Sequence, residues 1–206
     1  MALHIVDHPL AQHLLTDLRN RNTEPDIFRR LSWNLTTMLV IEATRHIATR
    51  SINVETPIKE THGVQLSEPL AIVPVLRAGL GMLEPVVQLF PDVSVGYIGL
   101  ERNENTAIAR SYYSKLPNLT DRFTLCMDPM LATGGSAAQA VSLIKAHGAR
   151  RVAMVCVVAA PEGVRRLEEA HPDIEIYTAS LDEGLNDRYY IVPGLGDFGD
   201  RLYGTF

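Results

Sequence analysis

The stretch that decides the fold is Leu125-Cys126-Met127-Asp128-Pro129-Met130-Leu131-Ala132-Thr133-Gly134-Gly135-Ser136. It runs from an apolar segment through an acidic residue to a loop of small residues, and a helix is predicted from Ala137 onward. Such an apolar segment is typical of a strand buried in a parallel sheet. Because open α/β sheets bind ligands at the carboxyl ends of their strands, we expect Asp128 to face a binding crevice.

The loop Ala132–Ser136 has the properties of a phosphate-binding loop. Its glycines let the backbone approach a ligand, and the N–H groups at the start of the following helix favour an anion. Thr133 and Ser136 add hydroxyl donors, while Asp128 can accept hydrogen bonds from sugar hydroxyls. A sugar phosphate therefore fits, although the loop alone is equally compatible with a plain strand-to-helix connection. The P-loop lysine and the GxGxxG dinucleotide pattern are both missing.

A second loop of the same kind follows the apolar run 69–75. It reads Leu76-Arg77-Ala78-Gly79-Leu80-Gly81 and leads into a helix predicted through Val87. The guanidinium of Arg77 can bind phosphate oxygens through two parallel hydrogen bonds. A surface arginine is the simpler interpretation of this loop alone. Next to the first loop it predicts a second phosphate site, so that one loop takes a monophosphate and the other a diphosphate.

Strands and helices alternate along the rest of the chain. Strands are predicted over residues 93–100, 122–128, 151–159 and 174–179, and helices over 136–147 and 161–170. This alternation predicts an α/β fold with a doubly wound parallel sheet. Both loops then lie at the same edge of that sheet. The polar segment 101–116 contains Arg102, and a solvated charged hairpin is its simplest interpretation.

The whole chain, residues 1–206, is predicted to form a single domain. Residues 1–50 form an N-terminal helical segment, with one helix from Pro9 to about Asn20 and another from about Thr23 to about Thr49. The second helix carries an apolar stripe from Phe28 to Ile47 that is expected to contact the core or another subunit. Residues 51–68 are predicted to form a β-hairpin arm or an edge strand, residues 69–180 the core, and residues 181–206 a loop-rich C-terminal hood without helical periodicity. The turns of 193–196 expose backbone groups that can hydrogen-bond the edge of a flat heterocycle.

Composition narrows the functional classes. With 46% hydrophobic residues, 21% charged residues and a net charge of −5, the chain is typical of a soluble globular protein and argues against nucleic acid as its main partner. No apolar run approaches the roughly 20 residues that span a bilayer, and the N-terminus lacks signal-peptide features, so a cytoplasmic protein is expected. Cys126 and Cys156 are expected to be buried thiols. The histidines form no convincing metal-ligand set.

Three strings carry a family resemblance: DPMLATGGS at 128–136, PVLRAGLGM at 74–82 and LNDRYYIVPGLGDFGDRLYGTF at 185–206. They resemble the uracil phosphoribosyltransferase branch of the type I phosphoribosyltransferases, and the resemblance covers nearly the whole chain. It implies transfer of ribose 5-phosphate from phosphoribosyl diphosphate to uracil, yielding UMP and diphosphate. Pro129 stands where many type I members have a second acidic residue, which favours uracil over purines. A transferase for another nucleobase and an RNA-binding pyrimidine sensor on the same fold stay open as alternatives.

The resemblance also implies roles for individual residues. Catalysis is expected from Arg77, Arg102, Asp128 and Asp197. Phosphoribosyl diphosphate is expected to contact those four residues and also Pro129, Met130, Leu131, Ala132, Thr133, Gly134, Gly135 and Ser136. Uracil is expected to contact Ile191, Gly196, Asp197 and Phe198, largely through the main chain. Many members have alanine in place of Phe198, so the role of its side chain is open.

The expected cofactor is Mg²⁺, bound mainly through the substrate diphosphate and without a protein ligand. By the same resemblance, segment 101–116 is a mobile flap over the diphosphate, and the Arg77 loop carries an unusual peptide geometry. The expected partners are the two small substrates, GTP as a candidate activator, and further copies of the chain in a homodimer or larger homo-oligomer. Neither nucleic acid nor a membrane is expected.

Overall fold

The computed structural model describes residues 2–102 and 109–205. In chain order the strands are β1 Ala2–Ile5, β2 Thr49–Glu55, β3 Glu60–Leu66, β4 Leu70–Leu76, β5 Ser94–Val95, β6 Tyr97–Arg102, β7 Ala109–Lys115, β8 Phe123–Met127, β9 Met130–Leu131, β10 Arg151–Ala159, β11 Glu175–Leu181, β12 Gly184–Leu185 and β13 Ile191–Val192. The helices are α1 Pro9–Arg19, α2 Pro25–Ala43, α3 Leu83–Leu89, α4 Gly135–Ala146, α5 Pro161–Ala170 and α6 Phe198–Tyr203, with a 3-10 helix at Ala78–Met82.

The main sheet runs in the order β1-β11-β10-β8-β4-β6-β7, with β5 paired to β4 and β9 to β10. Every pair in it is parallel except β6–β7, which is antiparallel. Two apolar clusters cover its two faces, one formed with α1, α2, α3 and α6 and the other with α4 and α5. The doubly wound α/β fold is therefore confirmed. Every residue of β8 is buried, as expected for a strand that is covered on both faces.

The chain breaks its regular pairing directly after β8. The amide of Asp128 donates to the carbonyl of Val155 at 3.2 Å, and the carbonyl of Pro129 accepts from the amides of Val157 and Val158. Pairing with β10 then resumes at β9. The strand predicted over 122–128 is therefore shorter by one residue at each end, and Asp128 lies at the interruption between β8 and β9.

The N-terminal segment is helical as predicted, but its second helix is shorter. The helix α2 ends at Ala43, not near Thr49, because Thr49 already opens the β2–β3 hairpin, where it pairs with Leu66. Ile47 continues the apolar stripe and packs against the core from outside the helix. The apolar spacing thus predicted the contact of Ile47 correctly and its conformation wrongly.

The hairpin and the C-terminal hood complete the chain. Strands β2 and β3 form a separate two-stranded sheet, so the hairpin arm is confirmed and the edge-strand alternative is wrong. The hood contains the helix α6, which the sequence analysis did not predict. Six residues are fewer than two turns, too short to produce a clear period, although Phe198 and Leu202 bury one face of it. Within the described residues, no helix has the length and apolarity needed to cross a membrane.

Candidate active site

A cleft of about 390 Å³ lies at the carboxyl edge of the sheet. Three separate parts of the chain form its walls: the 3-10 helix after β4, the break after β8, and the C-terminal hood. The lining residues are Ala78, Asp128, Met130, Ala132, Arg188, Tyr189, Tyr190, Ile191, Gly196, Asp197, Phe198 and Gly199. The cleft thus brings together stretches that are more than 100 residues apart in sequence.

The loop between β9 and α4 is built for close backbone approach. Gly134 caps the helix with φ of 75°, and a Cβ atom at this position would lie 2.6 Å from the carbonyl oxygen of Gly163. Both the left-handed backbone and the missing side chain therefore require glycine here. Among the described residues, no side chain caps α4, which leaves the N–H groups of its first turn available to an anion.

The Arg77 loop lies directly beside the β8 break. A Cβ atom at Gly79 would lie 2.5 Å from the carbonyl oxygen of Met127, so the two loops approach backbone to backbone. The Leu76–Arg77 peptide is cis, which confirms the unusual geometry expected for this loop. Arg77 is exposed, and its carbonyl accepts a hydrogen bond of 3.2 Å from the hydroxyl of Tyr203 in the hood.

The carboxylates of Asp128 and Asp197 are held by local backbone bonds. One oxygen of Asp128 accepts from the amide of Met130 at 3.3 Å. Asp197 caps α6, where its side chain accepts from the amide of Asp200 at 2.9 Å. Both carboxylates line the cleft, so the bottom and the hood side of the cleft each carry one negative group.

The side chain of Phe198 fills the core and not the cleft. It is 1% exposed and packs edge-to-face on Phe28, with ring centroids 5.1 Å apart. Phe198 therefore borders the cleft through its main chain. The side chain of Phe198 packs the hood on α2, while the cleft keeps a backbone wall at this position.

A buried ion pair fixes the first half of the hood to the N-terminal segment. Arg19 of α1 donates to both oxygens of Asp182, at 2.6 and 2.8 Å, and to the carbonyl of Gly194 at 2.7 Å. Asp182 also accepts from the hydroxyl of Ser180 and from the amide of Gly194. Burial raises the pKa of Asp182, but the hydrogen bonds from Arg19 and Ser180 and the charge of Arg19 outweigh it and lower the pKa overall.

A second arginine fixes the other half of the hood. Arg201 of α6 donates to the carbonyls of Leu18, Asn20 and Leu195. Its guanidinium lies 4.5 Å from the ring centroid of Phe28. The N-terminal helices therefore position the hood, a role that the sequence analysis missed because it assigned their apolar stripe only to core or subunit contacts.

Seven of the fifteen residues selected from the sequence line this cleft, whereas Arg77 and residues 133–136 lie in its neighbouring loops and are not among the lining residues. Met130, Ala132, Ile191 and Gly196 line it together with both carboxylates. Pro129 and Leu131 are buried, so they can reach a ligand only through the backbone. Arg102 ends β6 opposite Ala109 and is described through its backbone alone, while positions 103–108 of the expected flap lie outside the described residues.

Three lining residues with large side chains were not selected from the sequence: Arg188, Tyr189 and Tyr190. Tyr189 has φ of 63°, a left-handed backbone that bulky residues rarely adopt. The residue is 59% exposed, and this combination of exposure and strain at a cleft is the structural signal that the sequence does not carry.

The cysteines take no part in the site. Cys126 and Cys156 are unpaired and fully buried in β8 and β10, as predicted. Burial raises the pKa of both thiols, that of Cys156 to about 12. Neither is therefore a thiolate nucleophile at neutral pH.

Comparisons with known proteins show which family and which fold the chain shares. A family model described as uracil phosphoribosyltransferase matches residues 5–205. The uracil phosphoribosyltransferase of Dictyoglomus turgidum is 50% identical over 203 residues, which cover 98% of each chain. The solved AQ2163 protein of Aquifex aeolicus aligns with a TM-score of 0.93 and 41% identity, over 98% of this chain and 97% of its own. A hypoxanthine-guanine phosphoribosyltransferase of Bacillus anthracis shares the fold, with a TM-score of 0.52 and 10% identity over 77% of this chain and 80% of its own.

Proposed function

The chain belongs to the uracil phosphoribosyltransferase family, and on that premise we propose how its cleft transfers ribose 5-phosphate from phosphoribosyl diphosphate to N1 of uracil. The products are UMP and diphosphate. The observation that carries the proposal is the shared cleft, whose walls come from the Arg77 loop, the β8 break and the C-terminal hood. A substrate with a phosphate at one end and a diphosphate at the other can bridge the first two while the hood holds the base.

The 5-phosphate binds at the start of α4. The loop Ala132–Ser136 offers the uncapped amides of that helix and the hydroxyls of Thr133 and Ser136. Asp128 lies beside it, at the level where the ribose hydroxyls would follow the phosphate. As an ionised carboxylate it accepts hydrogen bonds from those hydroxyls and fixes the sugar ring.

The diphosphate binds at the Arg77 loop. Arg77 takes negative charge that develops on the leaving group, and Arg102 is proposed to do the same from the end of β6. Mg²⁺, when bound, would neutralise further charge on the diphosphate. Such an ion takes most of its ligands from substrate oxygens and water, and the cleft carboxylates Asp128 and Asp197 suit contacts through that water. Among residues 2–102 and 109–205, no group of three metal-ligating side chains offers a separate cage.

Uracil binds under the C-terminal hood. Ile191, Gly196 and the backbone of Phe198 present main-chain donors and acceptors to the edge of the base. As the C1′–oxygen bond to diphosphate breaks, positive charge grows on the sugar and N1 of uracil bonds to C1′. Asp197, at the hood side, is proposed to favour loss of the N1 proton. Exclusion of water by the hood protects the reactive sugar cation from hydrolysis.

The deciding experiment measures diphosphate release from phosphoribosyl diphosphate and Mg²⁺ with uracil, hypoxanthine or adenine. Of the three bases, only uracil is expected to give diphosphate release. Release with a purine but not with uracil would contradict the proposal. Asp128→Asn and Arg77→Ala should each lower kcat/KM by at least about 100-fold, because each removes a positioned charge partner. Asp121→Asn, an exposed aspartate at the other end of β8, is the matched control and should leave the rate unchanged.

The hairpin supports the proposal that the enzyme works as a homodimer or larger homo-oligomer. Ile58 is 90% exposed and Val64 76% exposed, which is a large apolar surface for a solvated arm. Light scattering at several protein concentrations tests it.

GTP activation is proposed on the family resemblance alone, and initial rates with and without GTP test it. A cytoplasmic location is supported by the two unpaired thiols, as is usual in a reducing compartment.

A further inference from the structure

The helix α5 forms the back wall of the phosphate loop. Its Gly163 has no room for a side chain, because a Cβ atom there would collide with the carbonyl of Ala132 and lie 2.6 Å from that of Leu131. The carbonyl of Gly163 in turn lies 2.6 Å from the Cβ position of Gly134. The backbones of the helix and the loop are therefore in direct contact, and side chains one turn along α5 are carried to the mouth of the loop.

Arg166 is the side chain that reaches this mouth. Its Cβ lies 3.1 Å from the Cβ position of Gly134, and its guanidinium atoms Cζ and Nη2 lie 3.7 Å from that of Gly135. Arg166 is exposed, and among the described residues nothing forms a hydrogen bond or an ion pair with its guanidinium. The neighbouring acid on α5, Glu162, is directed instead to the amide of Leu185 at 3.2 Å.

We propose that Arg166 binds the 5-phosphate of phosphoribosyl diphosphate and of UMP, together with the loop Ala132–Ser136. The loop contains no cationic residue, so by itself it meets the phosphate with dipoles and neutral donors only. A phosphate monoester carries close to two negative charges at neutral pH. A guanidinium at the edge of the loop supplies the missing opposite charge and can close over the phosphate with two hydrogen bonds. The inference rests on the proposed function of the cleft.

The test separates the two ends of the substrate. Arg166→Gln keeps the polar stem and removes the charge, and Arg165→Gln is the matched control, since it removes an equal charge from the adjacent exposed residue. Binding of ribose 5-phosphate and of diphosphate is measured separately by calorimetry. Arg166→Gln should weaken ribose 5-phosphate about 10-fold and leave diphosphate within about 2-fold, because only the first ligand carries the 5-phosphate. Arg165→Gln should change neither by more than about 2-fold.

Kinetics supply a second readout. In Arg166→Gln the KM for phosphoribosyl diphosphate should rise, the KM for uracil at saturating co-substrate should not, and Arg166→Lys should restore part of the loss. Unchanged ribose 5-phosphate affinity in Arg166→Gln, or an equal loss in Arg165→Gln, would overturn the assignment. Failure of the proposed function would look different, since the unmodified enzyme would then release no diphosphate with uracil.

Discussion

The phosphate end and the base end of the cleft are built in opposite ways. The phosphate loops leave the ends of β4 and β9, and their shape is fixed by backbone contacts that only glycine permits, at Gly79 and Gly134. The base end is the C-terminal hood, whose elements are two-residue strands and a six-residue helix. Such short elements have little stability of their own. Arg19, Arg29 and Arg201 bind the hood to the N-terminal helices, and its buried side chains Phe198 and Leu202 pack into the core.

The difference suggests a division of labour. A loop fixed by the main sheet presents the charged end of a substrate with constant geometry. A hood of short elements, attached partly through arginine hydrogen bonds, can open while the main sheet stays intact, because local units open with their own free energies. Damage to the phosphate end should therefore appear in the KM for phosphoribosyl diphosphate, and damage to the hood attachment in the KM for uracil.

The largest effect is expected from Gly134→Ala. The new Cβ would lie 2.6 Å from the carbonyl of Gly163 in a backbone of φ 75°, so the loop must move. A displacement of about 1 Å in a positioning loop costs about 100-fold, and kcat/KM for phosphoribosyl diphosphate should fall by at least that factor.

The variant to compare with Gly134→Ala is Gly196→Ala in the hood. Its φ is 80°, but the nearest atom to the Cβ position is Cδ of Arg201, at an ordinary 3.6 Å. Only the conformational cost of a left-handed alanine applies there, about 1–2 kcal/mol. The expected loss in kcat/KM is therefore about 10-fold. Steady-state kinetics of both variants decide the point, and equal losses in the two would contradict the proposed difference between the ends.

A smaller effect is expected when the hood attachment is broken by Asp182→Asn. The change keeps the shape of the side chain but leaves the guanidinium of Arg19, which is 24% exposed, without its charged partner. Loss of one partner of a buried pair costs about 3–5 kcal/mol, and the partial exposure of Arg19 reduces this to about 2–3 kcal/mol. Urea unfolding measures the loss, and the KM for uracil should rise about 10-fold.

The control is Asp187→Asn, an exposed aspartate of the same hood. It should leave both stability and the KM for uracil unchanged. A rise in the KM for phosphoribosyl diphosphate in Asp182→Asn, with no change for uracil, would show that the arginine attachment does not serve the base end.

The same ion pair should give stability a dependence on pH. The pKa of Asp182 is lower in the folded protein than its ordinary value of 3.8, so its contribution is complete above that value and is lost as the pH falls through the folded pKa. The free energies of unfolding of the unmodified protein and Asp182→Asn should therefore converge as the pH falls below about 4. A constant difference from about pH 6 to about pH 3 would show that the carboxylate is not the source.

The two ends also differed in how far the sequence predicted them. Each phosphate loop is formed by consecutive residues. At 125–137, for example, an apolar strand, glycines and the start of a helix follow one another, so local spacing is enough to locate the loop. The hood depends on Arg19 and Asp182, which are 163 residues apart. No local pattern marks such a pair, and α6 is too short to display a period. The reach of Arg166 depends on how α5 packs, which spacing alone does not give.

The smallest effect is expected at the one hydrogen bond between described residues that joins the hood directly to the Arg77 loop. The hydroxyl of Tyr203 in the hood donates to the carbonyl of Arg77 at 3.2 Å, and the residue is 41% exposed. Tyr203→Phe removes only that hydroxyl, and an exposed neutral hydrogen bond contributes about 0.5–1 kcal/mol. The KM for phosphoribosyl diphosphate should rise about 2- to 5-fold with the KM for uracil unchanged, since the bond supports the Arg77 loop. If instead only the KM for uracil rises, the Arg77 loop supports the hood through this bond, and the hood does not support the loop.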